Sequence, residues 1–140
     1  MKFFPESTLQ QLEFNTIKEL LAAHCSTEYA KSKALSLRIH TRKDFIEIAL
    51  QQANEYKTLL QSGVYFPNDF VHNISKELKL LGIPGATLSG EQFLHIRKLV
   101  VNTGNIFRWF TVETRETFPG LAKVIENNYY EKVIIELIDD

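Results

Sequence analysis

The chain has a single cysteine, Cys25, among its 140 residues. A disulfide framework is thereby excluded, and a reducing, cytoplasmic setting is the simplest expectation. Long apolar runs are missing too. Nothing approaches the ~18 residues of a membrane span, and the opening Met1-Lys2-Phe3-Phe4-Pro5-Glu6 lacks the apolar centre of a signal peptide. Neither sign of charge dominates: 16 Lys and Arg face 17 Asp and Glu, for a formal net charge of -1. That balance argues against a chain that binds nucleic acid through bulk charge, and against an acidic tail. Glycine is sparse. None of Gly63, Gly82, Gly85, Gly90, Gly104 and Gly120 falls in a G-x-x-x-x-G-K-[ST] loop or a G-x-G-x-x-G turn, which excludes a phosphate cradle or a dinucleotide turn in this chain. Repeats and low-complexity tracts are also absent.

What is present is ordinary globular material, 44% hydrophobic and 24% charged. A chain of this length suits one domain or segment and can bury roughly two-thirds of its unfolded surface. Apolar residues recur at three and four, so the expected fold is all-α: an irregular multi-helix bundle with one long helix. Residues 1–6 are expected to be flexible. A short helical signal spans about 8–13. Asn15 then reads as an N-cap, with Ile17, Leu20, Leu21 and His24 on one face behind it, and Ser26 as the cap of a segment carrying Tyr29, Ala30, Ala34 and Leu37. Thr41, with Asp44 three residues on, marks the start of a longer helix with the stripe Phe45, Ile48, Ala49, Ala53, Tyr56, Leu59 and Leu60. Gly63 is its natural stop.

The aromatic stretch Val64-Tyr65-Phe66-Pro67 is expected to pack as an extended segment. Asn68 or Asp69 then opens a helix through Phe70, Ile74, Leu78 and Leu81. The clearest start in the chain is Ser89-Gly90-Glu91-Gln92, a capping box, ahead of a long helix over about 90–112. Phe93, Ile96, Val100, Thr103, Phe107 and Phe110 form a heptad-like seam along it, widened by Leu99 and Ile106. Gly104 inside that helix costs about 1 kcal/mol, and a close helix crossing there is one explanation. Another helix is expected over about 119–127. The β-branched stretch 129–138 is compatible with a helix or a strand.

Few residues offer chemistry, and no catalytic or metal site is expected. His24 and Cys25 are adjacent, yet neighbours on a helix point about 100° apart, and no second cysteine exists. Cys25 reads as a small core hydrophobe. His40, His72 and His95 show no metal-ligand spacing. The carboxylate pairs Glu113/Glu116 and Asp139/Asp140 fit solvation and capping better than acid–base work. Arg38, His40, Arg42 and Lys43 form the densest basic run. Arg38, Arg42 and Lys43 are candidate phosphate contacts, against the plainer reading of a solvated helix start. Arg108-Trp109-Phe110 reads as core and flank rather than as a base-stacking platform.

The order of these features resembles the N-terminal region of the MutS family, most of all its second bacterial branch, the endonuclease-MutS type. Leu9 to Leu21, with Leu12-Glu13-Phe14 and Ile17-Lys18, is similar to that branch's opening helix. Ser26 to Leu37 matches the next helix, followed by a long one beginning near Arg42. Phe66-Pro67-Asn68-Asp69-Phe70 resembles the loop before the third element. Leu88 to Arg97, through Ser89-Gly90-Glu91-Gln92, is similar to the entry of the family's lever helix.

The resemblance implies that residues 1–140 are one helical segment, the N-terminal part of the core and lever region. It further implies that the chain is cut from a longer protein before its ATPase. Nothing here resembles the mismatch-reading domain with its Phe-x-Glu wedge, the Walker loop or a nuclease module. By the same resemblance, ATP and Mg would be cofactors of the longer protein and none of this chain. DNA would be its partner and a dimer its assembly, and the segment would relay nucleotide state between a DNA clamp and an ATPase without catalysis of its own. Two other readings compete: an independent helical module that binds a partner through the Phe93–Phe110 seam, and a small enzyme using His24 or Cys25.

Overall fold

A computed structural model describes residues 11–140. The expected flexibility of residues 1–6, and the first half of the short helix over 8–13, lie outside the described residues. Eight helices follow among the described residues, with no strand: α1 (Phe14–Ala23), α2 (Glu28–Leu35), α3 (Lys43–Gln61), α4 (Ser75–Leu81), α5 (Gly90–Trp109), α6 (Val112–Thr117), α7 (Pro119–Glu126) and α8 (Val133–Asp139). The all-α expectation therefore holds. Two compact units divide the chain, one ending at Ile46 and one covering Glu47–Asp140.

In the first unit α1 packs on α2. The start of α1 is not set by Asn15, which lies inside the helix. Glu13 precedes it at φ 49°, left-handed backbone that a non-glycine residue rarely adopts, and the Glu13 carbonyl accepts from Ile17 N–H at 3.1 Å. The cap of α2 is Thr27 rather than Ser26; its hydroxyl accepts from Ala30 N–H at 3.1 Å. Of the described residues in this unit, Ala22 and Ala34 are the buried ones. Ile17 and Leu20, expected on an inward face, stand 55% and 61% exposed.

α3 begins at Lys43, two residues after the expected Thr41. Asp44 does not complete a capping box there; it accepts from the Arg42 guanidinium at 2.6 Å. The ion pair holds the Asp44 carboxyl below the usual carboxylate range.

In the second unit the inward stripe of α3 is Gln52, Glu55, Tyr56 and Leu59, and Leu59 is fully buried. Ala53 and Leu60, placed on the stripe by apolar spacing, face solvent instead. Gly63, at φ 69°, turns the chain out of α3 as expected. Residues 64–74 are non-helical. Phe66 packs edge-on against Tyr56, Trp109 and Phe110 at centroid distances of 6.0, 5.0 and 6.3 Å, and the Trp109 indole donates to the Tyr65 carbonyl at 2.9 Å. These ties explain why no helix starts at Asn68 or Asp69. The chain stays non-helical until the Asn73 side chain accepts from Ser75 N–H at 3.1 Å and α4 begins.

The capping box of α5 is complete. Ser89 Oγ accepts from Gln92 N–H at 3.3 Å, and Gln92 Oε1 accepts from Ser89 N–H at 2.9 Å. The helix ends at Trp109, short of the expected 112, because Thr111 caps a new helix, accepting from Thr114 N–H at 3.3 Å. Phe110, Ala122 and Ile125 form the core cluster, with Phe66, Ile106, Phe107, Trp109 and Leu121 packed around it. The helix-or-strand ambiguity over 129–138 resolves as the helix α8, which packs on α5.

Candidate functional site

α5 is the element on which the sequence placed a functional role. Twenty residues at 1.5 Å per residue make a rod of about 30 Å. Along the predicted seam Ile96 and Phe110 are buried, and Val100, Thr103 and Phe107 are half-buried. Phe93 is exposed, so the seam packs from Ile96 onward. Gly104 is buried on the same helix, and a Cβ there would stand 2.9 Å from the Tyr130 ring. The close approach expected at Gly104 exists, but a tyrosine ring makes it rather than a second helix backbone. Phe107 meets the same ring at a centroid distance of 6.0 Å.

The far end of the α5–α8 contact is polar. Arg97 donates to both oxygens of Asp139, at 2.5 and 2.8 Å. The two donated bonds hold the Asp139 carboxyl below the usual carboxylate range. At its C-terminus α5 is closed by Arg115, whose Nε donates to the Phe110 carbonyl at 2.9 Å.

A second polar device fixes α7. This helix has Phe118 at its N-cap and therefore no capping side chain of its own. Glu55 on α3 supplies one. Its Oε1 accepts from Gly120 N–H at 2.9 Å and its Oε2 from Leu121 N–H at 2.8 Å. Beside it Gln52 donates to the Gly120 carbonyl at 3.1 Å. A carboxylate at a helix N-terminus also meets the positive end of the helix dipole. Sequence reasoning missed this cap because acceptor and donors lie 65 and 66 residues apart.

The candidate phosphate contacts sit elsewhere. Arg38, Arg42 and Lys43 are all exposed around the start of α3. Arg42 is engaged with Asp44, and the His40 ring lies 4.2 Å from that of Phe45.

The histidines are less scattered than their spacing implied. His72 and His95 approach to a centroid distance of 4.3 Å, stacked near Phe70, and Lys98 reaches over the Phe70 ring at 5.9 Å. Among the described residues, no group of three or more His, Cys, Asp or Glu could hold a metal ion. Cys25 is half-buried rather than a core residue, and its thiol donates to the Leu21 carbonyl at 3.4 Å. No helix among the described residues is long and apolar enough to cross a membrane.

The chain is similar in sequence to proteins named endonuclease MutS2. It is 27% identical to that of Streptococcus pyogenes (strain Manfredo) over 119 residues, which are 85% of this chain and 15% of that protein. Against the Aquifex aeolicus protein the identity is 27% over 138 residues, 96% of this chain and 18% of that one. Against the protein of Streptococcus agalactiae (strain NEM316) it is 25% over 119 residues. The chain spans less than a fifth of the length of these curated relatives. No protein-family model matches it, and no solved structure does. What relates this all-helical chain to known proteins is therefore its likeness, across most of its length, to one stretch of the MutS2 endonucleases.

Proposed function

We propose that this chain is a non-catalytic structural and relay segment of a MutS-type, DNA-acting ATPase that works in mismatch repair or in the control of recombination. The observation that carries the reading is the similarity to MutS2 proteins over 85% to 96% of the chain. A relay asks for stiff, well-capped helices rather than reactive groups. The box-capped α5, closed at its other end by Arg115, supports that requirement. In this reading ATP and Mg bind a different domain, the whole protein dimerises, and DNA is met chiefly by other parts of it. Phe93, Ile96, Val100, Phe107 and Phe110 are the seam of the relay helix. Arg38, Arg42 and Lys43 contribute at most peripheral phosphate contacts.

Reading the gene beyond Asp140 tests the proposal. A G-x-x-x-x-G-K-[ST] loop far downstream is the expected result; an unrelated domain in its place would sink it. Fluorescence anisotropy of the 140-residue chain with duplex and branched DNA, at two salt concentrations, should show weak binding or none, and any binding should vanish with moderate salt. Tight, salt-resistant binding would move the DNA-contacting role into this segment.

A second reading, an independent helical interaction module, draws on the outward apolar side chains of α1 and of the first half of α3, where Phe45 and Ile48 are exposed. Light scattering separates the two: a monodisperse monomer at high concentration counts against the module.

A further inference from the structure

A groove of about 660 Å³ opens in the second unit between α3 and the α6–α7 corner. Two aromatic rings line it, Trp109 and Phe118, with centroids 5.9 Å apart. Four hydroxyls line it as well, and each has already spent its proton on a carbonyl of its own segment. Thr58 donates to Asn54 at 3.0 Å, Ser62 to Leu59 at 2.8 Å, Thr114 to Trp109 at 2.7 Å and Thr117 to Glu113 at 2.9 Å. The indole N–H is committed to the Tyr65 carbonyl. What these groups still offer the groove is lone pairs.

The charge lining the groove has one sign. Glu113 and Glu55 contribute to the wall, and among the described residues no Lys, Arg or His does. Glu55 is occupied by the α7 N-terminus. Glu113 has no ion-pair partner among the described residues. Apart from Asn54, whose amide both donates and accepts, the polar wall offers acceptors; with a carboxylate that has no cation and an aromatic pair, it complements a donor-rich planar cation. Arginine supplies five N–H donors, no acceptor and a flat face that stacks on aromatic rings. We infer that this groove binds an arginine side chain presented by a polypeptide partner, with Glu113 as its counter-ion and the Trp109–Phe118 pair as its stacking surface.

Trp109 is the single tryptophan of the chain, so its emission reads the groove directly. The probe is N-acetyl-arginine-N-methylamide, titrated into the full chain, with the citrulline analogue as a neutral control of the same shape. The arginine probe should change Trp109 emission saturably and bind about 2-fold to 5-fold tighter than citrulline, the scale of one exposed charge pair. Glu113→Gln should erase most of that preference. Thr117→Val, which removes one lone-pair donor and keeps the shape, should weaken arginine about 2-fold to 3-fold. Circular dichroism checks both variants; if Glu113→Gln loses helix, Thr117→Val and the citrulline control carry the test. An emission change that never saturates, an equal response to citrulline, or unchanged binding in folded Glu113→Gln would each overturn the proposal.

Discussion

In the unit that ends at Ile46, the buried side chains among the described residues are two alanines, while the branched apolar residues of α1 point outward. In the unit from Glu47 onward, Leu59 is sealed completely and Phe110 anchors an aromatic cluster. The two also differ in how helix ends are satisfied. α2 is capped from within, by Thr27 at the residue before it. α7 is capped from across the unit by Glu55, and α5 is tied to α8 by a two-pronged Arg97–Asp139 bridge. Among the described residues, the first unit is held by contacts close in sequence, whereas the second adds contacts between residues far apart to its local caps at Ser89 and Thr111. Local contacts give helices with little to hold them together, so opening free energy should be low in the first unit and high in the second.

The largest test of this contrast sets Leu59→Ala against Leu20→Ala. The buried leucine should cost about 3 kcal/mol in urea unfolding followed by Trp109 emission, and the exposed one under about 0.5 kcal/mol. Equal costs would break the comparison. Next comes the remote cap. Glu55→Ala strips the acceptor from two part-buried N–H groups and should cost about 2 kcal/mol, with Glu55→Gln roughly half of that. A loss no greater than that of an exposed substitution would mean that water caps α7 equally well.

Smaller still is Gly104→Ala. The added methyl is driven against Tyr130, and overpacking of about 1–3 kcal/mol outweighs the roughly 1 kcal/mol gained in helix propensity. A net loss of about 1 kcal/mol is expected, and removing the ring with Tyr130→Leu should cancel most of it in a double-mutant cycle.

The smallest effect is acidic. Because the Asp139 carboxyl is held below its ordinary value when folded, its contribution is intact above the ordinary carboxylate pKa. It is lost as pH falls through the depressed folded value. Amide exchange in α8 should therefore quicken over that acid range in the parent chain and not in Arg97→Gln. Identical pH profiles would show that the bridge contributes nothing.

Local signals in the sequence were legible in proportion to how few partners they needed. The Ser89–Gln92 box involves four consecutive residues and is legible in them. The cap of α2 was displaced by one residue, since Ser26 and Thr27 carry the same chemistry side by side. Apolar spacing points to a helix over 68–74, and the segment is non-helical because the choice depends on Phe66 finding Trp109, about forty residues away in the chain. On α3 the apolar spacing pointed to Ala53 and Leu60, whereas Gln52 and Glu55 face inward because their polar ends have partners on α7. On α5 the seam was legible from Ile96 to Phe110, and the exposure of Phe93 was not. The His72–His95 contact and the acceptor-lined groove left no mark in the sequence, since every pair that makes them is brought together by tertiary packing.

The remote cap on α7 also has a bearing on how the chain folds. An eight-residue helix starting at Pro119, with no cap of its own, is too short to persist alone in water. Its ordering has to wait until a glutamate some sixty-five residues earlier has been delivered by a folded α3, a contact of high sequence separation that is entropically slow to close. α7 therefore joins late, and Glu55 variants should leave the refolding rate nearly untouched while accelerating unfolding.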